Sequence, residues 1–223
     1  MVYINDVTDL LDVDVKCKLY ADDVKLYAVI DSGVTNSSTL QNTLNRLSKW
    51  SDDWQLTISA SKCVTINIGK NETNSSYNIS GCAVPHVTNI RDLGVIIDES
   101  LKSSPHIQNI VAKARSRSFL IFKCFVSKDR CSLLRAYTTY VRPILEYCST
   151  VWSPCYVSDI DKLESVQRKF TKRLAGLSNM TYYQRLAMLD LDSLELRRMR
   201  LDLTMTYKIV FGMTELDASE FSL

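Results

Sequence analysis

The sequence predicts an α+β protein, with a mixed front of short strands and one long helix and an all-helical back. Up to about residue 98, apolar residues alternate in short runs separated by Gly, Asn and Asp, the period of strands. From Pro105 onward they recur at three- and four-residue spacing, the period of amphipathic helices. With 46% hydrophobic residues among 223, the composition is globular and the chain is long enough to bury a core.

Each element has its own signal. Val2, Ile4, Val7, Leu10 and Leu11 read as the end of a buried helix. Cys17, Leu19 and Ala21 alternate with Lys16, Lys18 and Tyr20, and Val24, Leu26 and Ala28 alternate with Lys25 and Tyr27. Residues 16–30 therefore form a hairpin with Asp22 and Asp23 at its tip. Asn36, Ser37 and Ser38 offer caps for a helix over 39–54, whose inner face is Leu40, Leu44, Leu47, Trp50 and Trp54. Alternation over 62–69 predicts a strand, Gly81 a short hairpin, and 87–97 a further strand or pair.

In the back half, Ile107, Ile110, Val111, Ala114, Phe119, Phe122 and Phe125 mark a helix over 105–125. Ser127 caps the next, carrying Leu133, Leu134, Tyr137, Val141, Ile144 and Leu145, and Pro143 kinks it or ends it near Arg142. A helix capped by Ser158 turns Ile160, Leu163, Val166 or Gln167, Phe170 and Leu174 inward and stops at Gly176. Helices over 181–189 and 193–211 complete the chain, the last ended by Gly212. Trp50, Trp54 and Trp152 read as core anchors.

The net charge of +2 hides a polarity. Residues 1–98 carry 8 Lys/Arg against 12 Asp/Glu, residues 99–179 carry 14 against 6, and residues 180–223 carry 5 against 7. An acidic front and a basic middle suit a cation site followed by a phosphate-binding surface, or else the basic residues are solvated helix faces. The seven cysteines lack a Cys-x-x-Cys pair, and His86 and His106 lack zinc spacing, so reduced, mostly buried thiols of an intracellular protein are expected. With no signal-peptide pattern and no apolar run of membrane-spanning length, the expected location is cytoplasmic, nuclear or both, with no membrane partner.

Asp22 and Asp23 are the strongest chemical signal. Two carboxylates crowded at a turn repel unless they share a cation, and oxygen donors suit a hard divalent ion. A polar turn accounts for Asp-Asp alone.

The segment Tyr20-Ala21-Asp22-Asp23 between two alternating runs resembles the catalytic hairpin of reverse transcriptases, and further blocks extend the likeness. They are Tyr3-Ile4-Asn5-Asp6; Trp50 with Trp54-Gln55-Leu56 and Ser61-Lys62-Cys63; Leu93-Gly94-Val95-Ile96-Ile97-Asp98 with Leu101 and His106-Ile107; Tyr140 to Tyr147 with Val151-Trp152; Leu163 to Phe170; and Ser193 to Arg198. Their order over about residues 2–212 resembles the reverse transcriptases of non-LTR, LINE-type retrotransposons, most of all Jockey- or CR1-like elements.

The resemblance implies a partial polymerase palm over 1–98, an antiparallel sheet with helices. It further implies a helical thumb-like region over 99–179 and a helical extension over 180–223. It makes Asp22 and Asp23 two of three metal-binding aspartates of a two-metal nucleotidyl-transfer site using Mg²⁺, or Mn²⁺, with two ions only in the intact parent enzyme. Lys62 becomes a candidate general acid toward pyrophosphate, or a surface lysine at a strand start. Gly94 becomes part of a primer grip or a structural turn glycine. Tyr20 falls beside the primer end. Arg115, Arg117, Arg168, Lys169, Lys172 and Arg173 become candidates to line a groove for an RNA–DNA hybrid. The implied partners are an RNA template, a DNA primer and a dNTP. The family's earlier aspartate strand and its fingers have no counterpart in these blocks, so the chain is expected to be a C-terminal fragment that is inactive alone. The alternative is a non-enzymatic, helical nucleic-acid-binding protein derived from such an element.

Overall fold

A computed structural model describes residues 5–29, 37–69, 76–216 and 218–221. It is an α+β structure with three two-stranded antiparallel hairpins and eight α-helices among these residues. The chain divides into two compact units, the first being residues up to Ile90 with Asp98–Leu101, the second Arg91–Ile97 with Lys102 onward.

In the first unit, a 3₁₀ turn at Asn5–Leu10 precedes β1 (Val15–Tyr20) and β2 (Asp23–Ala28). Helix α1 (Ser37–Asp53) packs on the turn, β1 and the small hairpin of β3 (Tyr77–Ile79) and β4 (Cys82–Val84). The core is Val7, Leu47 and Ile79, surrounded by Leu10, Leu26, Leu44, Trp50, Ile58 and Val84. Polar side chains fix α1 in place. Trp50 Nε1 donates to Asp6 at 3.1 Å, Arg46 pairs with Asp12 at 2.9 Å, and the Gln41 amide exchanges two 2.8 Å hydrogen bonds with the backbone of Asn78. In this last pair the amide stands in for a neighbouring strand.

Several expectations are corrected here. The segment expected to be a strand at 62–69 opens with a 3₁₀ turn, Ala60–Lys62, and has only an isolated bridge at Thr65 to His86. Thr65 N–H donates to Pro85 O at 2.9 Å, but Pro85 has no N–H to return, which helps keep the pairing to a single bridge. Trp54 is 50% exposed, beyond the end of α1, whereas Trp50 and Trp152 do pack into cores. Five of the seven cysteines are exposed, so burial does not account for them; all seven are free thiols. The proposed cap Asn36 and the loop at 70–75 lie outside the described residues.

In the second unit, β5 (Asn89–Asp92) and β6 (Val95–Asp98) form a hairpin whose turn end belongs to it. Helices α2 (Ser104–Cys124), α3 (Arg130–Tyr140), α4 (Arg142–Glu146), α5 (Ser149–Trp152), α6 (Val157–Lys172), α7 (Tyr182–Leu189) and α8 (Leu194–Val210) follow. Contacts Ser104–Asp159, Arg115–Ser165 and Phe122–Phe170 run in the same order along both chains, so α2 and α6 lie parallel. One core joins Val95, Ile107, Ile110, Val111, Leu133, Tyr137, Leu145, Leu163, Phe170 and Leu194. Residues on both sides of position 179 share it.

Phe119 is 59% exposed because the buried stripe of α2 runs 107, 110, 111, 114, 121, and position 119 falls off it. The cap of α3 is Asp129 rather than Ser127, since its carboxylate accepts from Ser132 N–H at 2.8 Å. Pro143 ends the α3 pattern as expected, and the chain restarts as α4 with the proline in its first turn, where its missing N–H costs nothing. Ser158 lies inside the first turn of α6, whose cap position is Tyr156 without a side-chain bond.

Candidate functional site

The β1–β2 register runs from Val15↔Ala28 to Tyr20↔Asp23, leaving Ala21 and Asp22 as the two turn residues. Ala21 sits at φ +54°, the left-handed conformation that two-residue hairpin turns demand. Asp22 is thus at the apex and Asp23 opens β2 opposite Tyr20, all of them exposed. Directly paired residues share a face, so the Tyr20 ring and the Asp23 carboxylate stand side by side.

The donor chemistry of Asp22 and Asp23 suits a hard divalent cation, and these are the residues that would hold one. Among the described residues, no group of three or more His, Cys, Asp or Glu side chains could hold a metal ion. The two carboxylates are therefore a partial donor set. Lys62 is exposed at the end of the Ala60–Lys62 turn.

Gly94 has a local structural explanation. With Leu93 at φ +43° and Gly94 at φ +91°, the β5–β6 turn needs two left-handed residues, and glycine adopts the second without strain. A Cβ on Gly94 would lie 3.3 Å from the Tyr147 ring, and Tyr147 Oη donates to Leu93 O at 3.1 Å. Trp152 Nε1 donates to Tyr147 O at 2.8 Å, and its ring stacks at 5.2 Å on His106. His106 Nδ1 in turn accepts from Ile96 N–H at 3.1 Å. Residues from three separate sequence blocks thus converge to hold one turn. Burial and the nearby Lys113 and Arg91 cations push the His106 imidazolium down, consistent with a neutral acceptor.

The basic residues divide. Arg115 donates to Ser165 at 3.0 Å and the Arg173 guanidinium lies 4.0 Å above the Phe122 ring, so both flank the α2–α6 seam. Lys169 and Lys172 are exposed on the same helix as Arg173. Arg168 leans the other way, over the Tyr182 ring at 5.2 Å and toward Asp161 at 3.8 Å. Arg117 is two residues, and so about 200°, around α2 from Arg115, away from the seam.

Sequence reading left open whether Val166 or Gln167 faced inward; both are buried, and Gln167 is a hub. Tyr137 Oη donates to its Oε1 at 2.8 Å, while its Nε2 donates to Tyr182 Oη at 3.0 Å and Asp192 O at 2.9 Å. Tyr182 Oη donates to Glu164, whose carboxylate also accepts the first N–H groups of α8, those of Leu194 and Glu195, at 3.3 Å each. An anion at a helix N-terminus is favoured by the helix dipole. The Tyr182 hydroxyl is pushed far above its ordinary pKa by burial and by Glu164.

Comparison with known proteins defines the class: the chain is related to RNA-directed DNA polymerases of non-LTR mobile elements. It is 27% identical over 175 residues to the RNA-directed DNA polymerase from mobile element jockey of Drosophila melanogaster, covering 76% of this chain and 19% of that protein. The jockey polymerase of Drosophila funebris is 26% identical over 77% of this chain and 19% of its own length. A probable RNA-directed DNA polymerase from transposon X-element of Drosophila melanogaster is 26% identical over 61% of this chain and 16% of its own. The chain thus spans about a fifth of the length of the jockey relatives. No protein-family model and no solved structure matches it.

Proposed function

We propose that the chain carries part of the nucleotidyl-transfer machinery of a non-LTR reverse transcriptase. The carrying observation is the tight β1–β2 hairpin with Asp22 and Asp23 at its tip, in a chain related to mobile-element polymerases. Residues 1–98 are read as palm, 99–179 as thumb and 180–223 as an extension. Asp22 and Asp23 would contribute two carboxylates toward Mg²⁺ or Mn²⁺, which when bound would supply charge stabilisation at the transferred phosphoryl group. Tyr20, beside Asp23, packs against the primer terminus. Lys62 delivers a proton to the departing pyrophosphate. Arg115, Lys169, Lys172 and Arg173 neutralise phosphates of the RNA–DNA hybrid without reading sequence, while a dNTP is the second substrate. Such a protein works in the cytoplasm, the nucleus or both; no helix among the described residues is long and apolar enough to cross a membrane.

Because the described residues offer only a partial donor set, the 223-residue chain by itself is proposed not to extend a primer. Loss of one organised electrostatic contact at a reacting centre costs ~10²–10³ in rate. The test is primer extension on an RNA template with Mg²⁺ or Mn²⁺, comparing wild type with Asp22→Ala/Asp23→Ala, beside Mn²⁺-induced broadening of the two aspartates' resonances. Broadening at both residues without extension is expected. No broadening at either would refute the metal reading, and robust extension abolished in the double variant would refute inactivity. The second reading, a non-enzymatic nucleic-acid binder, rests on the exposed cations flanking the α2–α6 seam. It predicts salt-dependent hybrid binding that survives Asp22→Ala/Asp23→Ala.

A further inference from the structure

The β1–β2 register sorts the hairpin's side chains into two faces. Val15, Cys17, Leu19, Val24, Leu26 and Ala28 share one, which contributes Leu26 to the core of the first unit. The opposite face carries, from the tip inward, the pairs Tyr20↔Asp23, Lys18↔Lys25 and Lys16↔Tyr27. Lys16 and Lys18 are exposed, Tyr20 is 64% exposed and Tyr27 47%. Two lysines directly across a strand pair repel, so Lys18↔Lys25 works against the hairpin that displays it. No acidic residue lies on this face between the tip and its far end. The face thus interleaves three cations with two aromatic rings, the combination that tracks a phosphate backbone while stacking bases.

We propose that this face of β1–β2 is a nucleic-acid backbone platform. Lys16, Lys18 and Lys25 neutralise phosphates, Tyr27 and Tyr20 stack on bases or sugars, and the anionic Asp22–Asp23 tip marks where the bound strand stops. Lys16 and Lys18 are about 7 Å apart along the strand, near two phosphate repeats of a helical nucleic-acid strand. A bound polyanion relieves the Lys18↔Lys25 repulsion, so the charge pattern costs stability in the free protein and is offset in the complex. This inference rests on the reverse-transcriptase reading for its location beside a catalytic tip, and adds binding residues which that reading does not contain.

The experiment measures anisotropy of a fluorescently labelled RNA–DNA hybrid and of a single-stranded DNA across a salt series. It uses the full chain, Lys16→Ser/Lys18→Ser/Lys25→Ser, Lys18→Glu, and Lys169→Ser/Lys172→Ser. The triple variant is expected to lower the salt slope by about 2–3, since each phosphate contact contributes roughly 0.7–0.9. Lys18→Glu is expected to weaken binding while raising the thermal midpoint, because Lys25 gains an opposite charge across the pair. A purely structural lysine would not give that opposed pair of effects. An unchanged slope in the triple variant, with Lys169→Ser/Lys172→Ser still reducing it, would overturn the platform and leave the proposed function standing. A lowered midpoint for Lys18→Glu would overturn the repulsion argument and the platform with it. Salt-independent or absent binding by the wild type would overturn both readings.

Discussion

Replacing Gln167 by leucine should be among the most damaging single changes in the helical unit, although no charge or volume of consequence is altered. Gln167 is fully buried, and its amide satisfies three polar partners from three other segments. In Gln167→Leu the Tyr137 hydroxyl loses its acceptor and the Asp192 carbonyl loses its donor. Tyr182 keeps its bond to Glu164. Two orphaned polar groups cost about 1–3 kcal/mol each. Burying the leucine returns roughly 1–2 kcal/mol, so the net loss is about 1–4 kcal/mol. The assay is urea unfolding followed by fluorescence, with the midpoint falling and the slope unchanged. Adding Tyr137→Phe removes one orphan in advance, so the double variant should be about 1 kcal/mol or more better than additive. A loss under about 0.5 kcal/mol, or strict additivity with Tyr137→Phe, would refute the hub.

The same core makes stability depend on pH through His106. Its folded pKa lies below the ordinary 6.5, so the unfolded chain takes up the proton first. Stability is full above about pH 6.5 and is lost as pH falls from there toward the folded value. The unfolding midpoint of wild type should drop between about pH 7.5 and 5.5 by more than that of His106→Gln. Gly94→Ala should cost about 1–2 kcal/mol from its left-handed backbone, and the Tyr147 ring must also give way, read as a lower thermal midpoint. Tyr147→Phe, which keeps the ring and loses only an exposed hydrogen bond, should cost less. Asp129→Ala should lower the thermal midpoint while Ser127→Ala does not, because only Asp129 accepts from the first turn of α3. Hydrogen bonds to Asp129 also hold its carboxyl below the usual range, so that contribution is present above about pH 4 and lost as pH falls through the folded value.

Periodicity was enough to place α1, α2, the α3–α4 break at Pro143, and the helices over 157–210, because an amphipathic stripe is written locally at three- and four-residue spacing. The β1–β2 hairpin and its acidic tip were legible for the same reason, alternation on either side of a turn. Alternation failed at 62–69, where strand formation depends on what the partner offers, and the partner carries Pro85. Ser127 and Asp129 are both plausible caps in the sequence, and only the backbone geometry at Asp129 brings a carboxylate to the Ser132 N–H. Gly94, Tyr147, Trp152 and His106 are up to 58 residues apart along the chain, and nothing in their spacing announces that they hold one turn. The buried Gln167 likewise looks like one polar residue on an otherwise apolar stripe until tertiary packing supplies Tyr137, Tyr182 and Asp192. Local sequence set which residues turn inward. The partners of the buried polar groups were decided by the tertiary fold alone, because a hydrogen bond depends on distance and direction between segments that sequence spacing does not encode.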